Sequence, residues 1–415
     1  MFDAKRLTLL AAPVLSAAIF VGAASAADNP QEGKPTMEEK AWLSHGFTET
    51  QRQSIRAACQ WGIENKFIPG GSLLLIHRGE TVFREGFGVA DLKTGRPFAA
   101  GAPCWIASIT KPHTSTLMAM LAERGKLSLD DPIAKYLPSF TGVAIRDKGP
   151  ASRQPKVREL LSHTAGCPGK KAFASGQWQI KQDGTLAEMV ADMSRQGLAA
   201  EPGTAFAYAT VGYRMAERIA EIVTGKEFAA LMEEALLRPI GATTATFRPS
   251  KELIAKMPAA YDRKPDGLVP LDSSARLEAA SSPLSAPGSL IATVDDVGRF
   301  LLLHRNKGVV DGKRLVAAES LQALYKPWRA TGAGYGLGFN ILKTGPNGVG
   351  VRIRHTGGAG TFAQLDFEND VIIVLFTQVS GARIAPFREQ VLKAIVSVFA
   401  PNDRPAPESP DREGE

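Results

Sequence analysis

The 415-residue sequence holds only three cysteines, Cys59, Cys104 and Cys167, and only six histidines. An odd cysteine count permits at most one internal disulfide and leaves one thiol over. The three lie far apart and match no zinc-ligand spacing, so inert buried thiols are expected, and none has a neighbouring feature that would activate it. There is no His-Glu-x-x-His, calcium loop or phosphate-binding loop, so no metal or nucleotide cofactor is expected. A Gly-x-Ser-x-Gly elbow is absent too, which argues against an α/β-hydrolase fold. The net charge is +7, yet no long Lys/Arg block or aromatic–basic stripe occurs. A nucleic-acid partner is therefore not expected, and the surface reads as mildly basic.

Long apolar runs are scarce beyond the N-terminus. There, Lys5 and Arg6 precede an apolar stretch from Leu7 to Gly22, followed by Ala24-Ser25-Ala26. This is the layout of a cleaved secretory signal, residues 1–26, with the mature chain starting at Ala27. The run is short for a membrane span, and no stop-transfer pattern follows, so no span is expected after cleavage. No cysteine stands at the cleavage point, so lipoprotein processing is not expected. The expected location is periplasmic or secreted.

What remains has 44% hydrophobic and 22% charged residues over the whole chain, enough to bury a large core. A polar lead-in, 27–48, precedes a single domain, 49–400, and a Pro- and charge-rich tail, 401–415, expected to be disordered. Glu49 to Asn65 predicts an amphipathic helix. Gly71 to Ile76 and Thr81 to Val89 predict two strands joined by His77-Arg78-Gly79-Glu80. Near the C-terminus Arg352 to His355, Thr361 to Phe367 and Val371 to Thr377 predict three more, and Pro386 to Ala400 a final helix. Between them the pattern is helical, with helices at Thr114 to Arg124, Val211 to Val223 and Val294 to His304. The expected class is α+β: an antiparallel sheet built from both termini and flanked by helices, with a mostly helical second region.

Against that frame stands Ser108-Ile109-Thr110-Lys111. Serine and lysine three apart on a helix share a face, so the amine reaches the hydroxyl it would activate. A helix start offers free N–H groups and a positive dipole end to a developing oxyanion. Pro112 fits a first helical turn. Downstream lie Tyr208-Ala209-Thr210 and His355-Thr356-Gly357-Gly358. Alone, Tyr208 reads as a core tyrosine and the glycines as a turn; their order behind a Ser-x-x-Lys is what gives them meaning.

In that order the chain resembles the serine β-lactamase and penicillin-binding superfamily, and within it the class C β-lactamase, D-aminopeptidase and esterase branch. Further matching phrases are Gly125 to Pro132, Tyr136-Leu137-Pro138, Leu160 to Gly166 and Tyr335-Gly336-Leu337-Gly338-Phe339, and the resemblance spans roughly residues 50 to 400. It implies that Ser108 attacks a carbonyl to form an acyl-enzyme, while Lys111 and Tyr208 share general-base work. It implies an oxyanion hole from the N–H groups of Ser108 and Gly358. Thr210, His355, Thr356 and Gly357 would line the substrate site, with His355 facing a substrate carboxylate or the tyrosine oxygen. His163 matches a structural segment, so packing or hydrogen bonding is expected of it.

Two departures bear on substrate. The second motif ends in Thr210 where asparagine is common, and the third begins with His355 where lysine is common. A free tyrosine has a pKa of about 10, so ionising it near neutrality needs nearby cations. His355 would be largely neutral there, leaving Lys111 as the main fixed cation. The expected activity is hydrolysis of esters or small peptide-like amides, on a small-molecule, peptide or cell-wall-derived substrate. The alternatives are a D-alanyl carboxypeptidase or D-aminopeptidase, a weak β-lactamase, and a non-catalytic protein that binds wall peptides.

Overall fold

The computed structural model describes residues 36–179, 184–272, 286–328, 334–380 and 383–399. The N-terminal apolar run, and the tail expected to be disordered, lie outside them. The description begins with two helices, α1 (Met37–Ser44) and α2 (Glu49–Glu64). Thr48 and Gln51 cap α2 reciprocally: Gln51 N–H donates to Thr48 Oγ1 at 3.2 Å, and Thr48 N–H to Gln51 Oε1 at 2.7 Å. The α1 helix lies inside the polar lead-in, where no helix was expected. It is held by one large side chain, Trp42, fully buried among aromatic rings that include Phe47 and Phe83.

Strands β1 (Gly70–His77) and β2 (Glu80–Asp91) form the expected hairpin. Its two loop residues, Arg78 and Gly79, both have positive φ (52° and 87°), the backbone that matches strand twist in a tight turn. Next come β3 (Arg96–Pro97), α3 (Thr110–Glu123), α4 (Thr210–Thr224) and α5 (Val294–Arg305). The chain then returns to the sheet as β4 (Asn340–Thr344), β5 (Gly350–Gly357), β6 (Thr361–Asp366) and β7 (Val371–Phe376), and α6 (Ala385–Phe399) follows.

The seven strands run in the order β4-β5-β6-β7-β1-β2-β3, every neighbour antiparallel. The sheet is therefore assembled from both ends of the domain, as the α+β reading expected. Its two edges, β3 and β4, were not expected. Pro97 keeps β3 short and at the rim, since proline cannot donate to a ladder. β4 is only partly buried, with Lys343 and Thr344 exposed, and lacks an alternating apolar pattern.

Both faces of the central strands are covered, which is why they read as unbroken apolar runs. Side chains alternate across a strand: Leu74 and Ile76 of β1, with Ile372, Val374 and Phe376 of β7, join the larger core with α3, α4 and α5. Leu73, Leu75, Ile373 and Leu375 join a second core beneath α2 and α6. On β5, Ile353 belongs to the larger core, so the same two-residue period turns His355 and Gly357 toward the helical side. Arg352, one residue out of phase, pairs with Asp366 at 2.7 Å. All three cysteines are buried free thiols.

Candidate active site

Ser108 sits in a short 3₁₀ turn, Ala107–Ile109, that leads directly into α3. The preceding residue, Ala107, has φ of 47°, a left-handed conformation that costs a non-glycine residue energy. That bend is fixed from outside. Thr361 on β6 donates its hydroxyl to the Ile106 carbonyl at 2.9 Å, and Thr110 donates to the Ala107 carbonyl at 2.7 Å. The turn presents Ser108 half-buried at the head of a helix whose first three turns are wholly buried.

Lys111 lies one turn on, 1% exposed. Its Nζ donates to Ser108 Oγ at 2.9 Å and to the Pro287 carbonyl at 2.9 Å. The amine also stands 4.7 Å from the centre of the Tyr208 ring and 5.8 Å from that of Tyr213. Tyr208 comes from the chain entering α4, so α3 and α4 bring the serine, the lysine and the tyrosine together. Tyr213, one turn into α4, ties the two helices: it donates to the Leu161 carbonyl at 2.8 Å and lies 3.1 Å from Ser115 Oγ.

His355 closes the site from β5. Its ring centre lies 6.4 Å from that of Tyr208, and its Nε2 lies 3.0 Å from the Tyr335 hydroxyl. Its Nδ1 is 2.7 Å from the Thr356 carbonyl. A carbonyl only accepts, so Nδ1 carries the proton and Nε2 accepts from Tyr335. Burial, aided by the charge of Lys111, lowers the His355 pKa to about 3. The imidazole is thus neutral and hydrogen-bonded to Tyr335. Beyond it, Thr356 and Gly357 are buried, while Gly358 is exposed in the following turn. Gly357 packs directly on the turn that carries Ser108: a Cβ there would lie 2.4 Å from the Ile106 carbonyl oxygen. Thr210, the first residue of α4, is exposed.

Two contributors, Tyr335 and Pro287, carried no assigned role in the sequence reading. Tyr335 belongs to a quoted phrase, but its partner His355 is remote in sequence. Pro287 supplies only a backbone carbonyl, which no side-chain pattern announces. His163 fits its expected role in packing and hydrogen bonding, and does so beside the tyrosine. Its Nδ1 accepts the Ala209 N–H at 3.0 Å, its carbonyl accepts the Ala207 N–H at 2.9 Å, and its ring lies 4.4 Å from that of Tyr208. Burial first, then the charge of Lys111, holds this imidazole well below its ordinary pKa. A histidine kept neutral with Nδ1 as acceptor braces the tyrosine's backbone on both sides.

A buried amine hydrogen-bonded to a serine hydroxyl, beside a tyrosine and opposite a glycine-rich strand end, is equipped for acyl transfer. Comparison with known proteins agrees. Residues 55–395 match the family model described as Beta-lactamase.

The chain belongs to the Beta-lactamase family.

Among relatives, it is 26% identical over 382 residues to penicillin-binding protein 4 of Amycolatopsis lactamdurans, covering 82% of this chain and 90% of that one. It is 31% identical over 193 residues to a putative D-alanyl-D-alanine carboxypeptidase of Escherichia coli K12, covering 44% of each. Among solved structures, EstCE1, a hydrolase with promiscuous acyltransferase activity, superposes with a TM-score of 0.74 at 19% identity, covering 84% of this chain and 98% of that one. Simvastatin synthase (LovD) of Aspergillus terreus gives 0.70 at 18% identity, covering 86% and 99%. These likenesses establish the β-lactamase/transpeptidase-like fold, and the protein is a serine hydrolase of this family.

Proposed function

We propose that the protein is an exported hydrolase that cleaves esters or small peptide-like amides through an acyl-enzyme on Ser108. The observation that carries this reading is the 2.9 Å hydrogen bond from buried Lys111 to Ser108 Oγ, with Tyr208 against the same amine. In the mechanism Lys111 and Tyr208 take the hydroxyl proton as Ser108 Oγ bonds to the carbonyl carbon. The N–H groups of Ser108 and Gly358 stabilise the resulting oxyanion. The intermediate collapses by expelling the leaving group, which receives the proton, and water then releases the acyl group by the same steps.

Esters are favoured over β-lactams for two reasons. Thr210 cannot offer a substrate amide the paired donor and acceptor that asparagine would, and a buried amide left short of a partner costs about 1–3 kcal/mol. His355 is neutral and engaged with Tyr335, so it offers no charge to a substrate carboxylate. Relatives named as a penicillin-binding protein and a putative carboxypeptidase support a cell-wall-derived substrate as the peptide alternative. The signal-like layout of residues 1–26 supports a periplasmic or secreted location.

The test is intact-mass detection of the acyl-enzyme across esters, D-amino-acid amides and β-lactams, with kcat/KM for one chromogenic ester and one cephalosporin. The expected result is an adduct on Ser108, absent from Ser108→Ala, and a preference for the ester. Turnover by folded Ser108→Ala, or preference for the cephalosporin, would overturn it. Failure of a fluorophosphonate to label Ser108 would favour a wall-peptide-binding protein instead.

A further inference from the structure

Lys111 can act as a base only if its lone pair faces the serine, and the direction of that lone pair is set by where the amine's own hydrogens go. One goes to the Pro287 carbonyl. Proline has no N–H, so nothing on Pro287 itself anchors this acceptor; its neighbours do. The Ala286 carbonyl accepts from Thr114 Oγ1 at 2.9 Å, and the Gly288 carbonyl accepts from Trp105 Nε1. The Leu290 N–H donates to Thr110 Oγ1 at 3.3 Å. These ties all run to residues close to Ser108. Among the described residues, one tie runs to α4: the Ala286 N–H donates to Glu217 Oε2 at 3.0 Å.

Glu217 is 2% exposed, a carboxyl group for which the acyl-transfer steps have no use. It stands one turn beyond Tyr213, on the same face of α4. We propose that Glu217 is a positioning residue for the Lys111 base, gripping Ala286 so that the Pro287 carbonyl holds the lysine amine in its attacking orientation. This rests on the reading of Lys111 as base.

The charge state fits. Burial raises the Glu217 pKa well above the ordinary carboxylate range, against the opposing pull of the Ala286 N–H and Arg214. An uncharged carboxyl keeps a carbonyl oxygen to accept the amide while adding no anion that would hold the proton on Lys111. Glutamine presents the same carbonyl oxygen, and methionine fills similar volume with no comparable acceptor.

The experiment measures the acylation rate and its pH dependence, using a chromogenic ester, for Glu217→Gln, Glu217→Met and Lys111→Ala. Glu217→Met should slow acylation about 10- to 100-fold with KM little changed, the scale of a misplaced catalytic group, and should shift the pH midpoint of the coupled Lys111–Tyr208 pair. Glu217→Gln should stay within about threefold of the parent in rate and keep its midpoint, since rescue by the isostere separates acceptance from charge. Thermal melting tracks the purely structural cost. Should Glu217→Met acylate like the parent, or Glu217→Gln fail as badly as Glu217→Met, the positioning role is overturned. Unchanged acylation in Lys111→Ala would instead remove the base reading, and this inference with it.

Discussion

Replacing Gly357 by alanine tests how tightly the strand end governs the position of Ser108. A Cβ there would lie 2.1 Å from Thr361 Oγ1, 2.4 Å from the Ile106 carbonyl oxygen and 3.2 Å from the Ala107 Cβ. The threonine hydroxyl can rotate, but only by giving up its 2.9 Å hydrogen bond to that same carbonyl. The carbonyl cannot rotate away, because it belongs to the backbone two residues before Ser108. Restoring ordinary contact requires β5 and the serine turn to part by about 1 Å. A misplacement of that size costs roughly 100-fold in rate, equivalent to about 2.7 kcal/mol of transition-state stabilisation. Overpacking should separately cost about 1–3 kcal/mol of stability. Stopped-flow acylation by a chromogenic ester gives the first quantity and denaturant unfolding the second. A folded Gly357→Ala protein acylating at the parent rate would refute the claim that β5 sets the geometry of Ser108.

Lys111→Ala and Tyr208→Phe should each slow acylation by about 100-fold or more, and the parent rate should rise with pH through an apparent pKa of the coupled pair; an unaffected Tyr208→Phe enzyme would remove the tyrosine from the mechanism. Thr210→Asn should raise the cephalosporin-to-ester ratio of kcat/KM about tenfold, the value of one amide partner, and an unchanged ratio would dismiss Thr210 as a determinant. His113, stacked on Phe300 at 3.7 Å between ring centres, has its pKa lowered by burial to about 4. The unfolded chain therefore binds its proton first, so stability is full above about pH 6.5 and falls as the pH drops toward 4. Between pH 6.5 and 5 the parent should lose about 1.5 kcal/mol more than His113→Phe, as read by urea unfolding at each pH; parallel losses would contradict a neutral buried His113.

The parts legible in the sequence are those whose physics is local. The hairpin at Arg78-Gly79, the apolar runs of β1 and β7, and the serine–lysine spacing each follow from a few adjacent residues. Helix α3 begins at Thr110, four residues before the expected Thr114, because Lys111 and Pro112 are helical first-turn residues with no apolar periodicity to mark them. The rest depends on remote pairing. Nothing near His355 says that Tyr335 will take its Nε2, and nothing near Lys111 points to a carbonyl on Pro287. Trp42 anchors a helix in a stretch whose composition is polar, since one buried indole outweighs several exposed charges.

The pairing of β1 with β7 joins residue 72 to residue 376 at the middle of the sheet. An emerging chain therefore carries Ser108 long before the strands that pack on its turn exist. The N-terminal hairpin must wait with one open edge until β7 arrives, and such long-range closure is slow because loop entropy is lost before contacts repay it. Truncation between residue 300 and β5 would leave Ser108, Lys111 and Tyr208 in the polypeptide, with Ile106 N–H still bonded to Leu290 but its carbonyl without the hydroxyl of Thr361. The contacts that fix the turn before Ser108 are thus complete only once β5 and β6 have been made.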